Sequence, residues 1–429
     1  MQMFRICAVL AIELLEPRKA AESIARPGST AGFREGDFTE VPARYHVAGN
    51  QSRPGGVLGG GMQDAGWEGL LMKRRILRTS SVLLGLSLAS AAGLAVASAA
   101  WAATTPARLP SWHVVETVTG PGQDFGAVVA TGPASGWAFV DNASYAYERT
   151  GVTTWKKVPF PGGHGVSVAA AAATSASDVW AFTDIGTGTR SEAVELVRGK
   201  WTVRKTLGGY VGAVSVLAAR NVWAFGSTAT YHYDGSTWAK VARGSLGGAA
   251  LSASDYWLTG TYGPAQTIVT HVKNGTKVTF NLAGLLPAKT RNALDDPMVA
   301  DIYAASDTNV YVIGNGSTQD AGGPVVILHY DGHAWTKLAS YGMGDPSGFT
   351  PDGAGGLWIP VGWAGGGTIL HYSRGTITAA ALPRPGNDES TDPGGGVSRI
   401  PGTTQALTTT ITFPSGNGTS LYSQVLQYG

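Results

Sequence analysis

The chain has almost no cysteine and little charge. Its one cysteine, Cys7, precedes residues 103–429, so a disulfide framework and a cysteine-based zinc site are both excluded from that part. Charged residues make up only 14% of the chain, and residues 103–429 hold 20 basic against 21 acidic residues. A nucleic-acid-binding protein needs a positive stripe to neutralise phosphates, so this overall balance argues against nucleic acid as a partner.

Glycine and aromatic residues, by contrast, are abundant. Glycine accounts for 61 of 429 residues, about twice its usual share. Tryptophan and tyrosine together number 28. This composition favours many turns that join short strands anchored by aromatic side chains, rather than long helices.

Residues 72–102 have the layout of a secretory signal peptide. A positively charged start precedes an apolar stretch, and small residues then end at Ala102, so we predict cleavage before Ala103. Residues 79–107 carry no charge and are long enough to cross a bilayer, so an uncleaved membrane anchor is the alternative.

The 71 residues before this segment are mixed in charge and rich in glycine and arginine. Because a signal peptide begins a protein, we interpret residues 1–71 as a mis-assigned or disordered extension and Met72 as the true start. A genuine cytoplasmic tail before a retained anchor is the alternative.

An aromatic strand recurs along residues 103–429. It is a short apolar run centred on an aromatic residue, usually after a Ser, Asp or Asn turn, as in SASDVWAF (175–182). The seven copies are anchored on Trp137, Trp180, Trp223, Trp257, Tyr311, Trp358 and, in degenerate form, Ala406. Self-similarity at steps of 34 to 54 residues indicates a repeat architecture.

Two further features complete each repeat. A strand–turn–strand phrase follows the aromatic strand, best seen in TYHYDGSTWAKV (230–241) and ILHYDGHAWTKL (327–338), and it predicts a β-hairpin. A strand of small residues, such as VSVAAAAAT (166–174), precedes the aromatic strand. Glycine and alanine suit strands that crowd around a common axis.

Each repeat therefore supplies four strands, and the sequence predicts an all-β fold, a seven-bladed β-propeller of four-stranded antiparallel blades over residues 103–429. The last copy ends at LYSQVLQYG (421–429) without its tryptophan strand. The N-terminal strand 111–118 contains Trp112, so we predict that it joins the C-terminal blade and closes the ring.

The aromatic strand followed by Y-D-G-x-x-W resembles secreted bacterial propellers of the kelch and sialidase Asp-box (BNR-like) repeat families. The resemblance covers residues 103–429, with departures: Asp234-Gly235 are adjacent, unlike in an Asp box, and the kelch double glycine is clear only at Gly355-Gly356. The catalytic arginine triad and tyrosine nucleophile of sialidases have no counterpart. The resemblance implies the fold and transfers no catalytic residue.

Four histidines share one position of the repeat. They are His232, His271, His329 and His371. Equivalent positions of different blades lie too far apart to share an ion bound at ~2.0–2.1 Å, so we predict no metal site there. We expect these histidines to pack beside aromatic residues.

The candidate binding residues are the non-repeated ones in the loops that join the tryptophan strand of one blade to the inner strand of the next. They are Asp124, His164, Tyr210, Arg291, Asp295, Tyr341, Asp345 and Asp388. Carboxylates, a histidine and aromatic side chains at one end of the propeller suit a sugar or Ca²⁺. We predict no cofactor, with Ca²⁺ as the alternative. The alternative is that they are ordinary solvated turn residues.

We therefore predict a secreted, monomeric, non-enzymatic binding module for polysaccharide or another cell-surface partner. An extracellular glycoside hydrolase or lyase using two loop carboxylates about 5–10 Å apart is the alternative. No motif with catalytic spacing supports that alternative. If the segment 72–102 is retained, the propeller is instead membrane-anchored on the outer side.

Overall fold

The computed structural model describes residues 110–120, 122–185, 188–245, 247–261, 265–288, 297–316, 323–362, 366–383, 389–414 and 422–429. The chain divides into two units, Met1–Thr105 and Pro106–Gly429, and every described residue belongs to the second. The predicted extension and signal segment lie outside the described residues. Within the described residues, no helix is long and apolar enough to span a membrane.

Every regular element of the described residues is a β-strand. The first strand is β1 (Trp112–Thr119). The first three sheets follow as β2 (Phe125–Gly132), β3 (Ser135–Val140), β4 (Tyr145–Arg149) and β5 (Trp155–Pro159); β6 (Val166–Ser175), β7 (Asp178–Ile185), β8 (Arg190–Val197) and β9 (Lys200–Gly208); β10 (Val211–Ala218), β11 (Asn221–Gly226), β12 (Ala229–Tyr233) and β13 (Trp238–Arg243).

The later strands continue the same pattern. They are β14 (Gly248–Ser252), β15 (Asp255–Thr259), β16 (Ile268–Lys273) and β17 (Thr276–Asn281); β18 (Met298–Ser306), β19 (Asn309–Asn315), β20 (Gly323–Tyr330) and β21 (Trp335–Pro346); β22 (Thr350–Pro351), β23 (Leu357–Gly362), β24 (Thr368–Ser373) and β25 (Thr376–Ala381); β26 (Glu389–Arg399), β27 (Ala406–Pro414) and β28 (Tyr422–Tyr428).

These strands form antiparallel sheets, as the repeat predicts. In the part of the chain that is described, five sheets have four strands each, and β18–β25 form one sheet of eight. The eight-stranded sheet arises because β21 is long: it pairs with β20 as far as Gly344 and then with β23 through Asp345 and Pro346. One strand thus ends one repeat and begins the next.

The first strands of successive sheets contact one another around an axis. β2 contacts β6, β6 contacts β10, β10 contacts β14, and β14 contacts β18, while β26 contacts both β2 and β23. Small residues allow these neighbouring strands to come close together. A Cβ atom on Gly395 of β26 would lie 1.5 Å from the carbonyl oxygen of Gly126 in β2, so no side chain fits at that position.

The N-terminal strand completes the C-terminal sheet, which confirms that part of the prediction. β1 pairs antiparallel with β28, with Trp112 opposite Tyr428, in a sheet of order β1-β28-β27-β26. The Gly429 N–H also donates to the Ser111 carbonyl oxygen at 3.4 Å. Strands from the two ends of residues 111–429 therefore close one sheet.

Aromatic side chains hold neighbouring sheets together. The ring of an anchor residue packs edge-on against the outer-strand tryptophan of the following sheet. The pairs, by ring-centroid distance, are Trp137–Trp201 (4.9 Å), Trp180–Trp238 (5.7 Å), Trp257–Trp335 (6.1 Å) and Trp358–Trp112 (5.5 Å). Trp112 thus takes the place of an outer-strand tryptophan in the last sheet, which explains why the chain needs that N-terminal strand.

The predicted hairpins form with the expected turn chemistry. At Asn274-Gly275 both residues have positive φ, 50° and 80°, as a two-residue type I′ turn requires. The Asp-Gly copies work differently, because Asp234 Oδ1 accepts the N–H groups of Ser236 and Thr237 at 2.8 Å each. In these copies the aspartate caps the turn with its side chain, and only the glycine has positive φ.

Candidate functional site

The predicted site lies at one end of the sheets, which we call the loop face. It carries the connections that enter each first strand, such as residues 122–124 and 160–165, and the turns that leave each second strand, such as residues 141–144. Asp124 lies directly before β2, and its carbonyl oxygen accepts the N–H of Asp141 at 2.7 Å. The end of the second strand therefore fixes the entry to the first.

Asn142 joins two of the predicted loops. Its Nδ2 donates to the Gly122 carbonyl oxygen at 2.7 Å, and its Oδ1 accepts the Gly165 N–H at 2.9 Å. Asn142 has a φ of 56°, a conformation that asparagine tolerates better than most residues. The loops of Asp124 and His164 are thereby held side by side, with His164 exposed to solvent.

Tyr210 and Asp345 in other sheets are likewise held by hydrogen bonds to the residue at the end of a second strand. Ser227 Oγ accepts the Tyr210 N–H at 3.0 Å, and Asn315 Nδ2 donates to Asp345 Oδ1 at 3.2 Å. Asp141, Ser227 and Asn315 each lie four residues after their aromatic anchor. In these three sheets the position four residues after the anchor therefore holds a polar residue that supports a non-repeated residue.

Tyr341 and Asp345 do not lie in a loop, in contrast to the prediction. Both belong to β21, which continues to residue 346 because its end pairs with β23. Both side chains are half-buried. The remaining candidates, Arg291, Asp295 and Asp388, lie outside the described residues.

Asp141 is the most perturbed acid of the loop face. The pKa of its carboxyl is raised to about 8, mainly by burial away from water and further by the nearby Asp124 and Asp184 carboxylates. The hydrogen bond from the Val168 N–H to Asp141 Oδ1, 2.8 Å long, opposes the shift. Below pH 8 the group is therefore a neutral acid that ties β6 to the preceding sheet.

A second perturbed acid lies in β18. Burial raises the pKa of Asp301 to about 6, against the opposing hydrogen bonds from the Ile302 and Phe349 N–H groups. Sequence reasoning missed both Asp141 and Asp301. For Asp141 the repeat itself holds a signal, since Asp184 occupies the same position after Trp180, whereas nothing in the pattern marks Asp301.

The four repeated histidines pack on aromatic rings, as predicted. The His271 ring lies 4.1 Å from that of Trp257 at an interplanar angle of 3°, and its Nε2 lies 2.8 Å from Asp255 Oδ1. The other three contact Trp223, Tyr311 and Trp358 in the same way. Across the described ranges, no three His, Asp, Glu or Cys side chains are grouped so that they could hold a metal ion.

A cleft of about 250 Å³ lies away from the loop face candidates, between β1, β28 and β24–β25. Its lining includes Trp112, Trp358, His371 and Tyr428. The two tryptophans are only 7% and 2% exposed, so their rings pack the closing seam and offer no open face to a sugar. The cleft is also smaller than the ~300–1,000 Å³ typical of small-molecule sites.

Comparison with known proteins gives the fold. No protein-family model and no curated protein matches the chain. Among solved structures, "YCF48 bound to D1 peptide" is 12% identical with a TM-score of 0.50, covering 74% of this chain and 96% of the other. The extracellular domain of the hybrid two-component system BT4673 from B. thetaiotaomicron is 9% identical with a TM-score of 0.50, covering 72% of this chain and 39% of the other. Both are β-propeller proteins, so residues 110–429 of this chain are similar in fold to β-propellers.

Proposed function

We propose that the chain is a secreted, non-enzymatic binding module whose loop face recognises a polysaccharide or a protein at a cell surface. The observation that carries this proposal is the support given to Asp124, Tyr210 and Asp345. A hydrogen bond joins each of them to the residue four positions after an aromatic anchor, which is Asp141, Ser227 or Asn315. A rigid scaffold that presents varied polar residues at one end is suited to recognition.

We further propose that the scaffold has seven blades of four strands. The 28 described strands divide evenly into seven groups of four if β21 is counted with β18–β20, β22 begins the next group and β1 joins β26–β28. The kelch and Asp-box likeness remains a proposal, supported by the Tyr-Asp-Gly turns at Asp234 and Asp331.

Different observations support a protein partner and a polysaccharide partner. A protein partner fits the comparison, since the YCF48 structure holds a peptide. A polysaccharide fits the polar character of the loop face. Secretion rests on the signal-like segment 72–102, and N-terminal sequencing of the exported protein tests it: a start at Ala103 supports cleavage, whereas a start at Met1 contradicts it.

The binding proposal is tested by thermal stability of the full chain against a panel of glycans, peptides and Ca²⁺. A ligand present at about 100 times its Kd stabilises the folded state by about 2.7 kcal/mol. His164→Ala on the loop face should weaken that stabilisation. His333→Ala is the matched control, because it removes an equally exposed histidine from a turn at the other end of the sheets. Equal effects of the two variants would contradict binding at the loop face.

A glycoside hydrolase or lyase is the second candidate, and Asp141 is the observation that favours it. An acid with a pKa near 8 beside a second carboxylate, Asp124, is a combination that glycosidases use as acid and base. In an enzyme, Asp388→Ala or Asp141→Asn should abolish turnover of a glycan that the chain binds. In a binding module, the same variants should change only affinity or stability.

A further inference from the structure

Seven exposed cationic side chains are concentrated in three of the outer strands. They are Lys156 and Lys157 in β5, Lys200, Arg204 and Lys205 in β9, and Lys240 and Arg243 in β13, here called the basic sector. These three strands contain no acidic residue. The other described outer strands, β17, β21, β25 and β1, hold two lysines and two acidic residues between them.

The basic sector is continuous from sheet to sheet. Trp201, next to Lys200, packs against Phe160 directly after β5, with ring centroids 5.3 Å apart. On the other side, the Arg204 guanidinium interacts with the Tyr233 side chain, and the Tyr233 ring stacks on Trp238 at the start of β13. The cations of β5, β9 and β13 therefore occupy neighbouring positions on the rim.

Few of these cationic groups contact a carboxylate or an aromatic ring of the protein itself. Arg204 pairs with Glu195 at 2.9 Å, and the Lys157 ammonium lies 3.3 Å from the centre of the Tyr145 ring. The other five form no ion pair with any carboxylate of the described residues. Val203 and Val241, 41% and 38% exposed, lie on the same strands and add apolar contact area.

Lysine on an outer strand has a simpler role, because a charge there prevents edge-to-edge pairing with another chain. That role applies equally to every outer strand. It does not explain why seven cations lie on three adjacent strands while two lie on the remaining four.

We propose that the basic sector binds an anionic polysaccharide, one that carries carboxylate groups along a flexible chain. This surface lies on the outer strands and is separate from the loop face, so the inference adds a second binding surface to the proposed binding module. A flexible polymer can follow three successive outer strands around a convex rim, whereas a flat surface touches only part of it. Nucleic acid fits less well, because binders of single strands place exposed aromatic rings among their cations. Here Trp155, Trp201 and Trp238 are turned into the packing between sheets.

The test measures binding of the full chain to polygalacturonate, with uncharged dextran and duplex DNA as comparison probes. Two double variants remove the same charge from outer strands: Lys205→Gln/Lys240→Gln inside the basic sector, and Lys277→Gln/Lys337→Gln outside it. All four lysines are exposed, so both variants should keep the fold. We expect the first to weaken polygalacturonate binding by about tenfold and the second by less than about twofold.

The salt dependence and the comparison probes separate the outcomes. Affinity for polygalacturonate should fall steeply between about 0.05 and 0.3 M NaCl, as charges become screened. Equal losses in the two variants would overturn the basic sector as a site. Binding of dextran as tight as that of polygalacturonate would show that charge does not select the ligand, and this too would overturn the inference. Tighter binding of DNA would replace the ligand class. No binding to polygalacturonate would overturn the inference alone, because the loop face is tested separately by the His164→Ala variant.

Discussion

Replacing Asp141 by asparagine should change how the free energy of unfolding depends on pH. In the folded protein, burial raises the pKa of Asp141 to about 8 from the ordinary 3.8. In the unfolded chain the group ionises near about pH 4. Between these two values the folded state therefore keeps a proton that the unfolded state has lost. The contribution of Asp141 to stability is thus fully present below about pH 4 and is lost as the pH rises towards 8.

The magnitude follows from the one proton involved. One proton bound only by the folded state changes the free energy of unfolding by roughly 1.4 kcal/mol per pH unit. From pH 5 to pH 7 the wild-type protein should thus lose about 3 kcal/mol through this one site. The amide that replaces the carboxyl in the Asp141→Asn variant cannot ionise, but its oxygen still accepts the Val168 N–H. The variant should therefore lack this loss.

Urea denaturation of both proteins at pH 5, 6 and 7 measures the effect. The variant should gain about 3 kcal/mol relative to wild type over this range. Other titrating groups, Asp301 among them, are the same in both proteins and cancel in the difference. A difference that stays constant within about 0.5 kcal/mol would mean that Asp141 is already ionised in the folded state, and the reasoning from burial would be refuted.

Three further substitutions test the packing around the ring. Gly126→Ala should lower the free energy of unfolding, measured in urea, by about 1–3 kcal/mol. The added Cβ would lie 2.2 Å from Asp141 Oδ1 and 2.7 Å from the Val168 carbonyl oxygen. An unchanged urea midpoint would show that β2 can shift to make room. Trp112→Ala should cost about 3–5 kcal/mol by the same assay, and a smaller loss would mean that β1 contributes little to closure. His271→Ala should cost about 1–3 kcal/mol in thermal unfolding; retention of stability by the alanine variant would show that its hydrogen bond and ring contact are dispensable.

The sequence predicts well those features that the repeat encodes locally. The anchors Trp180, Trp223 and Trp257 are fully buried, and the Asn274-Gly275 turn has the expected conformation. Both depend on residues a few positions apart, so a pattern along the chain is sufficient to find them. The closing strand was also predictable, because the last repeat lacks a tryptophan strand that Trp112 supplies.

The candidate site was harder to predict because its geometry depends on contacts between sheets. The pKa of Asp141 is raised by burial against β6, which begins 25 residues later, and no local pattern reports that burial. The extension of β21 through Tyr341 and Asp345 likewise depends on pairing with β23. The order of the sheets around the axis, rather than spacing along the sequence, decides which polar residues contact one another.

The pairing of β1 with β28 sets an order of events during synthesis. β1 leaves the ribosome before every other described strand, yet its partner is the last of them to emerge. Until then the Trp112 ring lacks Tyr428, one of the rings that cover it, and one edge of β1 is open to wrong partners. The entropic cost of closing a loop grows only slowly with its length, so the long separation of β1 and β28 costs little free energy. Its main effect is that β1 must wait for β28 to be synthesised.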